Sequence, residues 1–84
     1  MYSLEYSETF RKQIKKLPKD LQKRVVNVLE RIRILPYNYV KKLVGNPYFS
    51  LRAGDYRIIL DIKQDKLIIL VIEIGHRKKI YKKL

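Results

Sequence analysis

The stretch from Leu51 to Arg77, LRAGDYRIILDIKQDKLIILVIEIGHR, decides how the rest of the chain folds. Its second half, Leu67 to Ile74, is apolar at every position except Glu73, which predicts a central strand buried on both faces. Tyr56 to Ile62 is the natural partner of that strand, because the polar segment 63–66 has the length of a hairpin connection. The sequence therefore predicts an antiparallel hairpin within a sheet.

Two arginines stand at matching ends of this hairpin. Arg57 lies near the start of the first strand, and Arg77 lies just past the end of the second. In an antiparallel pair these positions fall at the same end of the sheet. Two guanidinium groups held close together by rigid strands are suited to binding a phosphate, so this end of the hairpin is a candidate phosphate site.

The remaining elements surround the hairpin. Alternating apolar residues predict a short strand over residues 2–6, and Ser7 is a favourable N-cap for a first helix that ends at Pro18. A second amphipathic helix follows and stops at Pro36. The other segments are an irregular stretch and a short strand, over residues 37–47 and 48–52.

The order of these elements predicts an α+β fold, with an N-terminal strand and a helical hairpin packed on a mostly antiparallel, twisted sheet. The 84 residues form one domain, spanning positions 1–84, because a chain of this length builds a single core. No internal repeat or linker divides the sequence.

Charge is the strongest global feature of the composition. Twenty Lys and Arg residues against eight Asp and Glu residues give a formal net charge of +12 and a pI of about 10.1. The excess is spread along the chain, which indicates a folded domain with cationic surfaces. We expect polyanionic partners, nucleic acid first and an acidic protein second. The alternative is that the lysines only solvate the surface.

Several classes of protein do not fit this composition. The absence of cysteine excludes disulfides and thiolate metal sites. One histidine and eight scattered acidic residues form no recognisable ligand cluster, so we expect neither a metal nor a cofactor. The N-terminus has no signal pattern and the longest apolar run is too short to span a bilayer. We therefore expect a cytoplasmic protein that does not bind a membrane.

Metal-free phosphodiester chemistry on RNA remains compatible with these residues. In such a reaction the 2′-hydroxyl of the RNA is the nucleophile, and the protein supplies positioning, cations and proton transfer. Arginine has a pKa above about 12, so it stabilises negative charge readily but gives up a proton reluctantly. The imidazole of His76 is better suited to proton transfer near neutral pH.

Two segments, KLVGNPYFSLRAGDYRIILDI (42–62) and LIILVIEIGHRKKIY (67–81), resemble the RelE/ParE superfamily of toxin–antitoxin toxins, and the RelE branch more closely. The pattern L-R-x-G-D-Y-R, an apolar strand and G-H-R with a nearby tyrosine carries the resemblance. It implies a RelE-like fold and a ribosome-dependent mRNA interferase. Such an endoribonuclease enters the ribosomal A site and cuts the codon there without a metal.

The resemblance also implies roles for individual residues. Arg57 matches the arginine that holds the scissile phosphate, and Arg77 matches the one near the leaving group. Tyr81 matches a tyrosine that orients the substrate, and Arg52 matches a basic position on the preceding strand. Two alternatives remain open from the residues themselves. Arg57 shares strand parity with Asp61 and could form a surface ion pair, and Tyr81 could cover the edge of the core.

The chain departs from the family pattern at one place. Well-studied RelE toxins carry two lysines on the strand before L-R, and Tyr48 and Ser50 stand there in this chain. The basic groups that replace them would come from Lys41, Lys42 or His76. We hypothesise that His76 takes part in proton transfer, and the alternative is that its imidazole only packs or forms a hydrogen bond at the strand end. The residues assigned to RNA or ribosome binding are Arg52, Lys41, Lys42, Lys78 and Lys79.

Competing functions remain open as well. For the nuclease, the resemblance implies mRNA and the ribosome as partners, with an acidic RelB-like antitoxin in a hetero-oligomeric complex. The second hypothesis is a ParE-like toxin that inhibits DNA gyrase without cleaving RNA, and the third is an inactive member that only binds. Tyr37 and Tyr39 could stack on bases in a complex with RNA, although loop aromatics more often pin a loop to the body.

Overall fold

A single five-stranded sheet organises the protein, and a computed structural model describes residues 1–80 of it. The strands lie in the order β1-β5-β4-β3-β2. β1 runs parallel to β5 and every other neighbouring pair is antiparallel, which confirms the predicted α+β fold with its mostly antiparallel sheet. The elements are β1 (Ser3–Tyr6), α1 (Glu8–Ile14), α2 (Lys19–Ile32), a 3₁₀ turn (Pro36–Asn38), β2 (Val40–Lys42), β3 (Phe49–Ala53), β4 (Tyr56–Lys63), β5 (Ile68–His76) and α3 (Arg77–Ile80).

The predicted hairpin is present as β4 and β5, but the strand that is buried on both faces is β4. Ile58, Ile59 and Leu60 are consecutive residues of β4 and are all fully buried. β5 has one buried face and one half-buried face. The strand also begins one residue later than predicted, because Leu67 has a φ of +54° and leaves the extended conformation. β4 is covered more completely because it occupies the middle of the sheet.

The helical hairpin covers one face of the sheet, as predicted. Phe10 of α1 and Val25, Leu29 and Ile32 of α2 are buried against apolar residues that alternate along the strands. α1 ends at Ile14, earlier than the predicted end at Pro18, and a turn joins it to α2. The core therefore lies between the two helices and one face of the sheet.

A β-bulge in β5 is held in place by α1. Ile59 pairs with Glu73 and Leu60 pairs with Val71, which leaves Ile72 as the extra residue. The Ser7 hydroxyl donates a hydrogen bond to the Ile72 carbonyl and accepts one from the N–H of Phe10 at 3.0 Å, so the predicted N-cap is confirmed. These contacts satisfy backbone groups at the bulge and fix the position of α1 on the sheet.

The segment predicted to be irregular, 37–47, contains an additional strand. β2 pairs with the outer edge of β3, with Lys41 opposite Ser50 and Lys42 opposite Phe49. The prediction was wrong because a three-residue edge strand is too short to show an alternating pattern, and the pairing with β3 supplies its structure.

The third helix lies on the face of the sheet opposite the helical hairpin. Gly75 of β5 pairs with Arg57, and an added Cβ on Gly75 would lie 2.9 Å from Cδ1 of Ile80. Ile80 is itself buried. Any side chain at position 75 would therefore collide with the residue that docks α3.

We expect Gly75→Ala to destabilise the protein by about 1–3 kcal/mol, because the added methyl group overpacks the contact with Ile80. Urea denaturation of the single and double variants will measure this effect. Ile80→Val removes the colliding Cδ1 atom, so in a Gly75→Ala background it should cost less than it does alone. Additive losses in the double variant would contradict the proposed collision.

Candidate functional site

Cationic side chains from adjacent strands line an open groove on the sheet face opposite the helical hairpin. Arg52 of β3 and Arg57 of β4 are direct cross-strand partners, so their side chains project from the same face. The groove has a volume of about 430 Å³. Its lining residues are Tyr39, Lys41, Ser50, Arg52 and Arg57.

The turn between β3 and β4 fixes both arginines around one carbonyl group. Arg57 donates hydrogen bonds from Nη1 to the carbonyl of Gly54 at 3.2 Å and to that of Tyr56 at 3.0 Å. Arg52 Nε lies 3.4 Å from the same Gly54 carbonyl. Gly54 has a φ of +62°, which favours glycine and turns its carbonyl toward the two side chains. The carbonyl dipole reduces the repulsion between two neighbouring cations.

Arg57 does not pair with Asp61, so the alternative of a surface ion pair between them is wrong. The Asp61 carboxylate instead contacts Nζ of Lys63 at 3.7 Å. The guanidinium of Arg57 is half-buried and is held by backbone carbonyls that carry no net charge. No carboxylate within residues 1–80 forms an ion pair with it, so it is available to an anionic ligand.

The two neighbouring lysines of β2 face opposite sides of the sheet. Lys41 lies opposite Ser50 and lines the groove with the arginines. Lys42 points to the other face, where its Nζ lies 4.8 Å from the ring centroid of Phe49. Both lysines of β2 were predicted to bind RNA or the ribosome, and the structure brings only Lys41 to the groove.

The backbone of Arg77 lies at the end of the sheet where the turn between β3 and β4 is found. Its N–H donates a hydrogen bond to the carbonyl of Asp55 at 2.9 Å, and the nearby Gly75 is the cross-strand partner of Arg57. Arg77 begins α3, and its side chain is exposed. Lys78 and Lys79 follow it as exposed residues of the same helix, whereas Tyr81 lies outside the described residues.

His76 is placed differently from the arginines. It pairs with Tyr56 and contacts that ring edge to face, with 5.7 Å between the ring centroids. Tyr56 packs against the core under the helical hairpin, so His76 lies on the face opposite the groove. Its Nδ1 atom accepts a hydrogen bond from the N–H of Lys78 at 3.2 Å. This contact favours a packing role, and proton transfer by His76 stays a prediction.

Sequence reasoning gave two groove residues too little weight. Tyr39 lines the groove, whereas the sequence suggested for it either stacking on RNA bases or pinning a loop, and Ser50 was considered only as a replacement for lysine. Tyr39 lies in the turn before β2, with a φ of −119° and a ψ of −9°, so no alternating pattern predicts that its side chain lies beside Lys41. Ser50 is buried at the base of the groove, at 7% exposure.

The groove has the chemical character of an anion site. It presents two guanidinium groups, an ammonium group and two hydroxyls, and none of its lining residues is acidic. Within residues 1–80, no three or more His, Asp or Glu side chains gather as a possible metal site. The same residues include no helix with the length and apolar character needed to cross a membrane.

The sequence is similar to known toxins over nearly its whole length. Residues 4–81 match the family model of the ParE toxin of type II toxin–antitoxin systems, parDE. The mRNA interferase toxin RelE of Escherichia coli strain K12 is 32% identical in an alignment 85 residues long. The alignment covers 93% of this chain and 85% of that protein. Toxin RelE3 of Methanocaldococcus jannaschii is 30% identical and covers 90% of this chain and 91% of its own length.

Solved structures of toxins share the fold. A chain of the RelBE2 toxin–antitoxin complex from Mycobacterium tuberculosis superposes with a TM-score of 0.83 at 25% identity, covering 90% of this chain and 98% of that one. A chain of the intact RelBE complex from Escherichia coli gives a TM-score of 0.78 at 25% identity, covering 90% and 96%. The chain therefore belongs to the RelE/ParE superfamily of toxins from type II toxin–antitoxin systems.

Proposed function

We propose that this toxin is a ribosome-dependent mRNA interferase, an endoribonuclease that cuts the codon in the ribosomal A site and so inhibits translation. The observation that carries the proposal is the meeting of Arg52 and Arg57 at the Gly54 carbonyl, beside Lys41, in an open groove. The similarity to a protein named mRNA interferase toxin RelE supports it. An RNA phosphodiester is the anion that fits a groove with both cationic and hydroxyl groups.

The proposed reaction is an internal transesterification of the RNA. The 2′-oxygen forms a bond to the adjacent phosphorus, and the bond from phosphorus to the 5′-oxygen of the next nucleotide breaks. A base takes the proton of the 2′-hydroxyl, and the departing 5′-oxygen gains a proton. Arg57 binds the non-bridging oxygens, where negative charge builds up in the transition state, and Arg77 stabilises the leaving oxygen.

Lys41 takes the place of the lysines that the family carries before L-R. Ser50 stands at one of those positions, and Lys41 is its direct cross-strand partner on β2. A cation on the neighbouring strand therefore occupies the side of the groove from which a lysine at position 50 would act. In the proposed complex with RNA, the positive charge of Lys41 lies next to the attacking hydroxyl and favours its loss of a proton.

We expect Lys41→Met to lower the rate of cleavage by about tenfold or more, which corresponds to about 1.4 kcal/mol of transition-state stabilisation. Lys42→Met is the matched control, because it removes the same charge one residue away from the opposite face. Single-turnover cleavage of mRNA on programmed ribosomes measures both rates. Equal losses in the two variants would show that only total charge matters and would remove Lys41 from the site.

The proposal includes an acidic antitoxin as the partner that restrains the toxin. The net charge of +12 favours a partner of opposite charge, and solved relatives are complexes of toxin with antitoxin. We propose that an acidic, RelB-like chain binds this protein in a hetero-oligomeric complex and covers the cationic groove. Association of such a complex should slow as salt screens the charges.

Primer extension on translated mRNA tests the proposed activity. Purified protein should produce cuts in phase with codons when ribosomes are present, and none on the same mRNA alone. A DNA gyrase supercoiling assay is run in parallel because the matching family model is described as a ParE toxin. Inhibition of supercoiling without codon-phased cuts would overturn the proposal in favour of a gyrase inhibitor.

A further inference from the structure

A second cluster of arginines lies beside the groove, on the exposed side of α2. Arg24 and Arg31 are separated by about two helical turns, so they project from the same helix face, with Asn27 between them. Together with the β3–β4 turn they border a depression of about 590 Å³. Its lining residues are Arg24, Asn27, Val28, Arg31, Arg52, Ala53 and Gly54.

Arg52 and Gly54 connect this depression to the groove. Arg52 lines both of them. Nη1 of Arg24 lies 2.8 Å from the position that a Cβ on Gly54 would occupy, while the Gly54 carbonyl faces Arg52 and Arg57. Arginines from α2, β3 and β4 thus surround a single glycine. A side chain at position 54 would displace the guanidinium of Arg24.

The arginines of this cluster have no ion-pair partner among the described residues. None of the residues that line the depression is acidic. Within residues 1–80 the ion pairs are those of Arg33 with Glu30 and of Lys63 with Asp61, and neither involves Arg24 or Arg31. Three guanidinium groups that repel one another persist at one place because the surface is exposed to solvent, and a bound anion would lower that repulsion.

We propose that Arg24 and Arg31, together with Arg52, bind a second backbone phosphate of RNA, distinct from the phosphate held at Arg57. The inference rests on the proposed function, since it extends the path of the RNA from the groove onto α2. RNA fits better than an acidic protein, because the lining consists of guanidinium and amide groups and offers only Val28 and Ala53 as apolar contacts. A protein partner would need an apolar anchor there.

The test compares two variants of the full chain that each lose two positive charges. Arg24→Gln/Arg31→Gln removes the proposed site, and Lys12→Gln/Lys16→Gln removes one exposed charge from α1 and one from the turn that follows it. Fluorescence anisotropy measures binding to a labelled single-stranded RNA that carries 2′-O-methyl groups and cannot be cleaved. In the Arg24→Gln/Arg31→Gln variant, the magnitude of the slope of log K against log salt should decrease by about 0.7 for each phosphate contact that is lost. The decrease should be smaller in the Lys12→Gln/Lys16→Gln variant.

A second arm identifies the source of the phosphate. Binding is repeated with ribosomes that have an empty A site, so that structured RNA is present without the substrate codon. A selective loss with the oligonucleotide assigns the phosphate to the substrate strand, and a selective loss with ribosomes assigns it to ribosomal RNA. Either result supports the site.

Equal salt slopes for the two variants in both arms would overturn the inference, as would weaker binding of the α2 variant to the antitoxin with unchanged binding to RNA. The anisotropy measurement does not depend on catalysis. If the unmodified protein cleaves mRNA but the two variants bind RNA equally, the second phosphate site is rejected and the proposed function is kept. If the protein does not cleave mRNA at all, the proposed function fails, whatever the salt slopes show.

Discussion

Replacing Arg57 with alanine is expected to slow mRNA cleavage by about 100- to 1000-fold, the loss that follows removal of one preorganised donor to a developing negative charge. The reason lies in how the side chain is held. Its Nη1 atom already donates to the carbonyls of Gly54 and Tyr56, so the guanidinium needs little reorganisation when the phosphate arrives. Single-turnover cleavage on programmed ribosomes measures the rate.

Two controls make this result specific. Arg57→Lys keeps the charge but loses the planar fork of donors, so it should recover only part of the rate. Lys66→Ala removes a charge from the exposed connection at the other end of the hairpin and should leave the rate nearly unchanged. Urea denaturation of each variant separates loss of activity from loss of folding. Cleavage by Arg57→Ala at the rate of the unmodified protein would remove Arg57 from the reaction.

Leu29→Ala is expected to destabilise the protein by about 2–5 kcal/mol, because it leaves a cavity at a core position with 1% exposure. Leu29 lies on the buried face of α2, near the middle of the contact between helices and sheet. The total stability of a small domain is only about 5–15 kcal/mol, so this one substitution removes a large part of it. The midpoint of urea denaturation measures the loss.

Val26→Ala on the same helix is the matched control. Val26 is 54% exposed, so its truncation should change stability by no more than about 0.5 kcal/mol. Replacing either residue with alanine changes helix propensity by less than about 0.7 kcal/mol, which is small beside the expected cost of the cavity at position 29. Similar losses in the two variants would show that α2 is not held to the sheet by the buried face described above.

The sequence predicted those parts of the fold that depend on local patterns. The hairpin of β4 and β5, the N-cap at Ser7 and the helical hairpin follow from alternation, capping and amphipathic spacing. The bulge at Ile72 could not be predicted, because it depends on the contact with Ser7, which is remote in sequence. β2 was missed for the same reason, since its pairing with β3 decides its conformation.

Some residues of the candidate site were also predicted from the sequence, and the positions of others depend on tertiary structure. The resemblance predicted Arg52 and Arg57 as site residues, and the register of β3 with β4 makes them direct partners. The guanidinium that the hairpin pattern predicted beside Arg57 was that of Arg77, which is not among the residues that line the groove. Which of Lys41 and Lys42 faces the groove depends on the register of β2, and no local pattern encodes that register. Arg24 lies beside Gly54 because α2 packs across β3. This is a tertiary contact, and the local sequence of α2 does not predict it.

The parallel pairing of β1 with β5 has a consequence for the synthesis of this toxin. Ser3 lies opposite Ile68, so the first strand has no partner until synthesis has passed residues 68–71. Contacts so distant in sequence form late in folding and disfavour stable partial structures. A polypeptide interrupted before β5 would also leave β4, the most apolar strand, unpaired along one edge and prone to aggregation. We therefore expect translation products that end before β5 to lack toxicity, because the native sheet cannot form without that strand.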